Sequence, residues 1–267
     1  MTRHTKHRIY LFQLLFVTYS QLGLTKNTDR PVAISSLEKR LAATFKTEVR
    51  YGVIAKYLHR SLLWQRSGDT QMKRMPYVNR SVPSWSWMAY DGQIDYMSIG
   101  FRQVKWSKDV QWPEFILDAK VRDFQACKIE RKDGEKRVME DKIGSGERGW
   151  LIFDGDDGMD VQTLKCVIIG RESSVDAESG DAESGDAGSE GSGSEDVESE
   201  DVESEDAESE DAGSEDSGIG DAGRKFYVLV VKPICSDRCR DFERVGVGSV
   251  PQRFISFESG GVRGRIL

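Results

Sequence analysis

"VPSWSWMAYDG", residues 82–92, stands where the chain changes character, and it uses two of the six tryptophans. In extended backbone Trp85 and Trp87 share one face, with Ser84 and Ser86 on the other. Asp91-Gly92 reads as a turn. Upstream of this stretch apolar residues recur at helical spacing. Downstream they fall into short runs of strand character.

On the upstream side Pro31 opens a helix, and Ile34, Leu37, Leu41 and Phe45 recur at spacings of three and four. A second stripe, Ile54, Leu58, Leu62, Leu63 and Trp64, continues the period as core material. The polar stretch "QRSGDTQMKRMPYVNR" (65–80) reads as a linker. On the downstream side "FILDAKVRDFQACKI" (115–129), "GWLIFDG" (149–155), "LKCVIIG" (164–170), "KFYVLVVKPI" (225–234) and "FERVGVGSV" (242–250) are rich in Val, Ile and aromatics and are parted by turn residues. The expected fold is α+β: N-terminal helices packed on an antiparallel β-rich body. Its segments are a helical part over 1–81, a first β part over 82–172, an insert over 173–224 and closing strands over 225–267.

Charge isolates the insert. The 267 residues carry 38 Lys+Arg against 45 Asp+Glu, a net −7, but residues 176–223 hold 20 of the acidic residues and no Lys or Arg. The remainder has 25 acidic against 38 basic residues, a net +13. Within the insert Asp recurs every five residues in a DAESG/DVESE rhythm, interrupted at Gly191. Such a segment has almost nothing to bury, so it is expected to be disordered and extended by self-repulsion. Lengthening a surface loop tenfold costs only about 2 kcal/mol of closure entropy, so the fold tolerates it. Its charge suits contact with basic surfaces.

Several motifs fail their context tests. "GSGERG" (144–149) matches G-x-G-x-x-G through Gly144, Gly146 and Gly149, but a strand follows it where a nucleotide site needs a helix. "DGDDGMD" (154–160) groups Asp154, Asp156, Asp157 and Asp160 without the EF-hand spacing, and reads as a solvated loop. Cys235 and Cys239 are spaced CxxxC with no nearby His to complete a zinc site. Four scattered cysteines suit a reducing compartment, which favours a cytoplasmic location. Asn79–Ser81 is a glycosylation sequon that matters only in a secreted chain. The apolar run after "MTRHTKHR" is too short to span a bilayer and lacks a small-x-small cleavage site, so it reads as a buried helix or strand. Basic stretches such as "KVRDFQACKIERKDGEKR" are interleaved with acids, so nucleic acid is not an expected partner. With three histidines, His-based chemistry is thinly supplied. No enzyme activity, cofactor or membrane partner is expected.

The segment "PSWSWMAYDG" resembles one found in fungal heterokaryon incompatibility (HET) domain proteins, Pro-Ser-Trp-Ser-Trp-Ala-Ser-x-Asp-Gly, which lies downstream of the HET domain itself. Pro83, Ser84, Trp85, Ser86, Trp87, Asp91 and Gly92 match it, and Met88-Ala89-Tyr90 depart from it. Neighbouring segments are similar in the same order. Tyr19-Ser20, Leu24-Thr25, Asp29 and Ala33-Ile34-Ser35 match an upstream stretch, without the arginine that usually lies between Tyr-Ser and Leu-Thr. Gly52 and Leu62-Leu63-Trp64 match a helix whose first Trp is here Ile54. "CVIIGRE" (166–172), "YVLVV" (227–231) and "FERVGVG" (242–248, with Glu243, Arg244, Gly246 and Gly248) look like the closing strands. The HET domain's own motifs, Tyr-x-x-Leu-Ser-Tyr-x-Trp-Gly and Trp-Ile-Asp-x-x-Cys-Ile, are not found in this sequence.

The resemblance implies a non-enzymatic regulatory or interaction region of an allorecognition protein, truncated so that the TIR-like effector domain upstream of it is missing. It implies a full-length HET-type protein as partner. Its alternatives are a fragment of a longer product that carries the effector, or a non-functional relic. The signature residues are expected to be structural, with Trp85 and Trp87 anchoring the helices to the sheet.

Overall fold

The computed structural model describes residues 3–68, 71–78, 81–101, 103–125, 127–132, 136–140, 148–155, 163–173, 224–234, 240–258 and 260–267. The acidic repeat, Cys235 and Cys239, Gly144 and Gly146, Asp156, Asp157 and Asp160, and Asn79 lie outside them. The described residues belong to one compact unit.

Three helices lead. They are α1 (Arg3–Ser20), α2 (Arg30–Phe45) and the short α3 (Leu58–Leu62). Pro31 sits in the first turn of α2, where its missing N–H costs nothing. The helix stops at Lys46, whose φ of 49° is left-handed. Between α2 and α3 the hairpin of β1 (Val49–Arg50) and β2 (Val53–Ile54) interrupts the stripe expected to be helical from Ile54 onward. Trp64 likewise belongs to a strand, β3 (Trp64–Arg66). The stretch read as a linker contributes β4 (Lys73–Arg74), and Met72 and Met75 in it are buried. Local polarity concealed this, because the two methionines meet their apolar partners only in three dimensions. No helix among the described residues is long and apolar enough to cross a membrane.

Around its two tryptophans the segment is not a strand. Ser86 caps a 3-10 turn over Trp87–Ala89, its Oγ accepting from Met88 N, and the turn sends the two indoles into different clusters. Then follow β5 (Tyr90–Asp91), paired with β4, and β6 (Ile94–Tyr96), paired with β3.

The main sheet uses β7 (Val104–Trp106), β8 (Leu117–Asp123), β9 (Lys128–Lys132), β10 (Lys136–Glu140), β11 (Arg148–Phe153), β12 (Lys165–Glu172), β13 (Lys225–Pro233), β14 (Asp241–Pro251) and β15 (Val262–Ile266). β12 and β13 are antiparallel partners at either end of the acidic insert. Their neighbours close a ring in the order β13, β12, β8, β15, β14 and back to β13. All pairings in it are antiparallel except β14 with β15, where Asp241 and Phe242 lie opposite Arg265 and Ile266 in parallel. β11, β10 and β9 extend the sheet beyond β14 as an antiparallel meander. Gly149, the last glycine of the apparent nucleotide motif, is a residue of β11.

Alternation along these strands separates two apolar layers. Leu117, Ala119, Val121, Val167, Ile169, Leu229, Val231, Phe242, Val247 and Ile266 cluster with Trp85, Leu62 and Leu63. Their strand neighbours, among them Cys166, Val228, Val230, Leu151 and Phe153, cluster with Phe254 and Ile255. The helical layer is a third cluster, in which Ile9, Phe12 and Phe16 of α1 meet Ile34, Leu41 and Phe45 of α2 together with Tyr57, Tyr96 and Trp87.

Candidate functional site

The signature segments meet at Arg244 in β14. Its side chain and that of Asp154, just beyond β11, are both fully buried. A guanidinium buried away from bulk solvent must spend its donors on protein acceptors. Nε donates to Asp154 Oδ2 at 3.0 Å and Nη2 to Oδ1 at 3.2 Å, forming a two-pronged pair. Nη1 donates to the carbonyl of Leu62 at 2.7 Å, and Nη2 to that of Trp64 at 2.5 Å. The guanidinium carbon lies 3.4 Å from the centre of the Trp64 ring, so charge and ring face are in contact.

Arg244 also engages the tryptophan segment through its backbone. Its N–H donates to Ser84 Oγ at 2.9 Å, and its carbonyl accepts from Tyr90 OH at 3.0 Å. Trp64 Nε1 donates to the carbonyl of Trp85 at 2.8 Å. Ser84 N–H donates to the carbonyl of Leu267 at 2.8 Å, and its hydroxyl donates to the same oxygen. The backbone of Asp154 is committed as well, donating to Val245 O at 2.9 Å and accepting from Met72 N at 3.1 Å. One residue thus holds α3, β3 and the end of β11 through its side chain and the tryptophan segment through its backbone.

The other signature residues surround this centre. Glu243, one step along β14 and half-buried, accepts from Arg74 Nη1 at 2.6 Å and faces Lys232 Nζ at 3.7 Å. Gly246 and Gly248 let β14 approach β11: a Cβ on Gly248 would lie 2.5 Å from the Trp150 carbonyl, and one on Gly246 would strike that of Ile152. Ser86 Oγ donates to Tyr51 O at 2.7 Å. The Pro83 carbonyl accepts from Ser86 N at 3.1 Å. Asp91 accepts from Asn27 Nδ2 at 2.9 Å and lies 3.9 Å from Arg30 Nη2, and Met72 packs against Gly92. Leu63 joins Trp85 in the apolar layer that one face of the ring strands forms, the barrel cluster.

Trp87 belongs to the helical layer, beside Phe16 and Tyr19. Its indole covers Gly52, whose φ of 72° and missing Cβ make the contact possible. On the helix side, Gly52 N–H donates to Glu38 Oε1 at 2.8 Å. Glu38 is only 9% exposed. Burial pushes its carboxyl up to about 7, against the opposing pull of the Gly52 N–H and Arg50. Burial raises the Asp154 carboxyl too, and Arg244 opposes it.

Sequence reading missed Asp154, Glu38 and Tyr90 as members of this centre. Asp154 heads an acidic run that looked solvated; it is instead the most buried carboxylate of the described chain. The hint lay in "LIFDG", where an Asp ends an apolar strand. The arrangement offers little to a reactant. The polar atoms of the Arg244–Asp154 pair point at protein partners, and burial pushes the Cys166 thiol up to about 12. Among the described residues no three His, Cys, Asp or Glu are grouped to hold a metal ion. The chemistry available here is that of a clamp.

No protein-family model, curated protein or solved structure matches this chain.

Proposed function

We propose that the chain is the regulatory or interaction region of a fungal HET-type allorecognition protein, and that it acts by binding rather than by catalysis. One observation supports this reading most directly. The three motifs that carry the resemblance, Leu62-Leu63-Trp64, Pro83–Gly92 and the Glu243–Gly248 run, join at the single residue Arg244, the first through its guanidinium and the second through its backbone, although Arg244 and Leu62 stand 182 residues apart. The three motifs thus belong to one architectural unit of this chain. The non-catalytic part of the reading rests on the commitment of that centre's polar groups to the protein itself.

In this reading the body docks on a full-length HET-type protein in the cytoplasm and modulates its TIR-like effector domain. The acidic insert adds an electrostatic contact to basic surfaces of that partner. The test is a pull-down of a full-length HET-type relative on the folded chain, at low and high salt, paired with the intact mass of the protein from cells. Capture that weakens with salt supports the reading. No capture by the folded chain refutes a stand-alone regulator. A longer cellular product bearing a HET domain moves the effector role to that domain and leaves this chain as its regulatory half.

A further inference from the structure

Four aromatic side chains make a continuous run at one corner of the body. Tyr51, at the tip of the β1–β2 hairpin, meets Trp85 edge-on at 6.0 Å; Trp85 meets Trp112 at 5.7 Å, and Trp112 meets Phe115 at 5.2 Å. Trp85 is buried, while Tyr51, Trp112 and Phe115 are half-buried. A cation joins the two ends of the run. Arg50 Cζ lies 4.9 Å from the centre of the Tyr51 ring and 4.6 Å from that of Phe115, and Nη2 donates to Tyr51 OH at 3.3 Å. Ring faces attract cations through their quadrupoles, so rings grouped at one cation make a site for a guanidinium or a quaternary ammonium.

Backbone strain marks the same corner. Four non-glycine residues among those described have left-handed backbone, and three of them are Tyr51 (φ 53°), Glu114 (φ 48°) and Phe115 (φ 64°). Tyr51 and Gly52 are the turn residues of the hairpin, where Asn or Asp suits the first position better than Tyr. Bulky residues in this backbone are outliers, and such strain gathers at ligand clamps. Here it brings two rings to one guanidinium. The hairpin tip is held from the body as well, by Ser86 Oγ on Tyr51 O and by Gly52 N–H on Glu38. Trp112 Nε1 is buried with no acceptor among the described residues, an orphan donor that the carbonyl of a bound peptide would satisfy.

We propose that Tyr51, Trp112 and Phe115 form a binding site for an arginine side chain of a partner protein, with Arg50 occupying it in the free chain as an internal competitor. This goes beyond the functional reading above and does not depend on it. Arg50 reaches the rings from an exposed position on a two-residue strand, and an exposed contact of this kind is weak enough for a second guanidinium to displace it. A guanidinium fits better than a quaternary ammonium, because it lies flat on a ring and can donate to Tyr51 OH as Arg50 does.

Titration of N-acetyl-arginine amide, at millimolar concentration, into the isotope-labelled full chain tests the proposal. The readout is the indole N–H resonance of Trp112, assigned through Trp112→Phe. Arg50→Ala, a change at an exposed position, is expected to bind the probe at least about fivefold more tightly than the wild type, because the internal competitor is gone. N-acetyl-citrulline amide, of the same shape without the charge, should bind neither chain. Adding Phe115→Gly to Arg50→Ala should abolish binding while circular dichroism stays unchanged, since glycine takes that backbone without strain. Equal affinity of wild type and Arg50→Ala, no binding by Arg50→Ala, equal binding of the citrulline probe, or binding that survives Phe115→Gly overturns the proposal. So does tighter binding of N-acetyl-trimethyl-lysine amide, which would assign the rings to a quaternary ammonium.

Discussion

Glu38 makes stability depend on pH in the sense opposite to that of a salt-bridged carboxylate. In the folded protein its carboxyl is raised from an ordinary 4.5 to about 7, because burial against Gly52 and the helical core disfavours the charge more than the Gly52 N–H and Arg50 favour it. Between these values the folded state holds a proton that the unfolded chain has released. Stability is therefore full below about pH 4.5, falls as pH rises and levels off above about pH 7. A difference of about 2.5 units at 1.36 kcal/mol each amounts to about 3 kcal/mol. At 9% exposure little is lost to solvent screening. Against a domain stability of roughly 5–15 kcal/mol that is a large share.

Glu38→Gln keeps an oxygen for the Gly52 N–H and removes the charge. The variant should match the wild type at pH 4.5 and exceed it by about 3 kcal/mol at pH 8. Urea unfolding, followed by tryptophan fluorescence at intervals across that range, measures both chains. Other titrating groups contribute equally to each and cancel in the difference. A constant offset between the curves, or a wild type that gains on the variant as pH rises, refutes the reasoning.

Arg244→Met should cost about 3–5 kcal/mol by leaving Asp154 charged, buried and unpaired, and adding Asp154→Leu should recover most of it; chemical denaturation of the singles and the double gives the coupling. Trp85→Ala should cost roughly 3–5 kcal/mol, since the ring is buried among Leu62, Leu63 and the barrel residues, and an unchanged melting temperature would reject its role in the core. Gly248→Ala should destabilise by at least about 1 kcal/mol, because its Cβ would lie 2.5 Å from the Trp150 carbonyl; Gly23→Ala, with nothing near its Cβ, is the matched control in the same melt.

Local pattern carried the reading a good distance. Ile34, Leu41 and Phe45 are buried on one face of α2, and the apolar runs around Val167, Leu229 and Val247 are strands of the sheet. The α+β assignment followed from these periods, which neighbouring residues impose on one another through the backbone. The site was legible in part. Its signature residues were named, but not the carboxylate that completes it. Asp154 is 90 residues from Arg244 and heads an acidic stretch, so nothing local distinguishes it from its solvated neighbours.

What the amino-acid sequence determined by itself was the helix that carries Ile34, Leu41 and Phe45, the long strands from residue 115 onward, and the separation of an acidic segment from a basic body. The four short strands between Val49 and Arg74 escaped it. Tertiary structure alone decided which strands close the ring, where a parallel contact at Phe242 and Ile266 joins β14 to β15. It also decided that Trp85 and Trp87 part company, one into the barrel cluster and one onto Gly52. The reason is physical. Periodicity is written by contacts three or four residues apart, whereas closure and the pairing of buried charges depend on surfaces that exist only once distant segments have excluded water from one another.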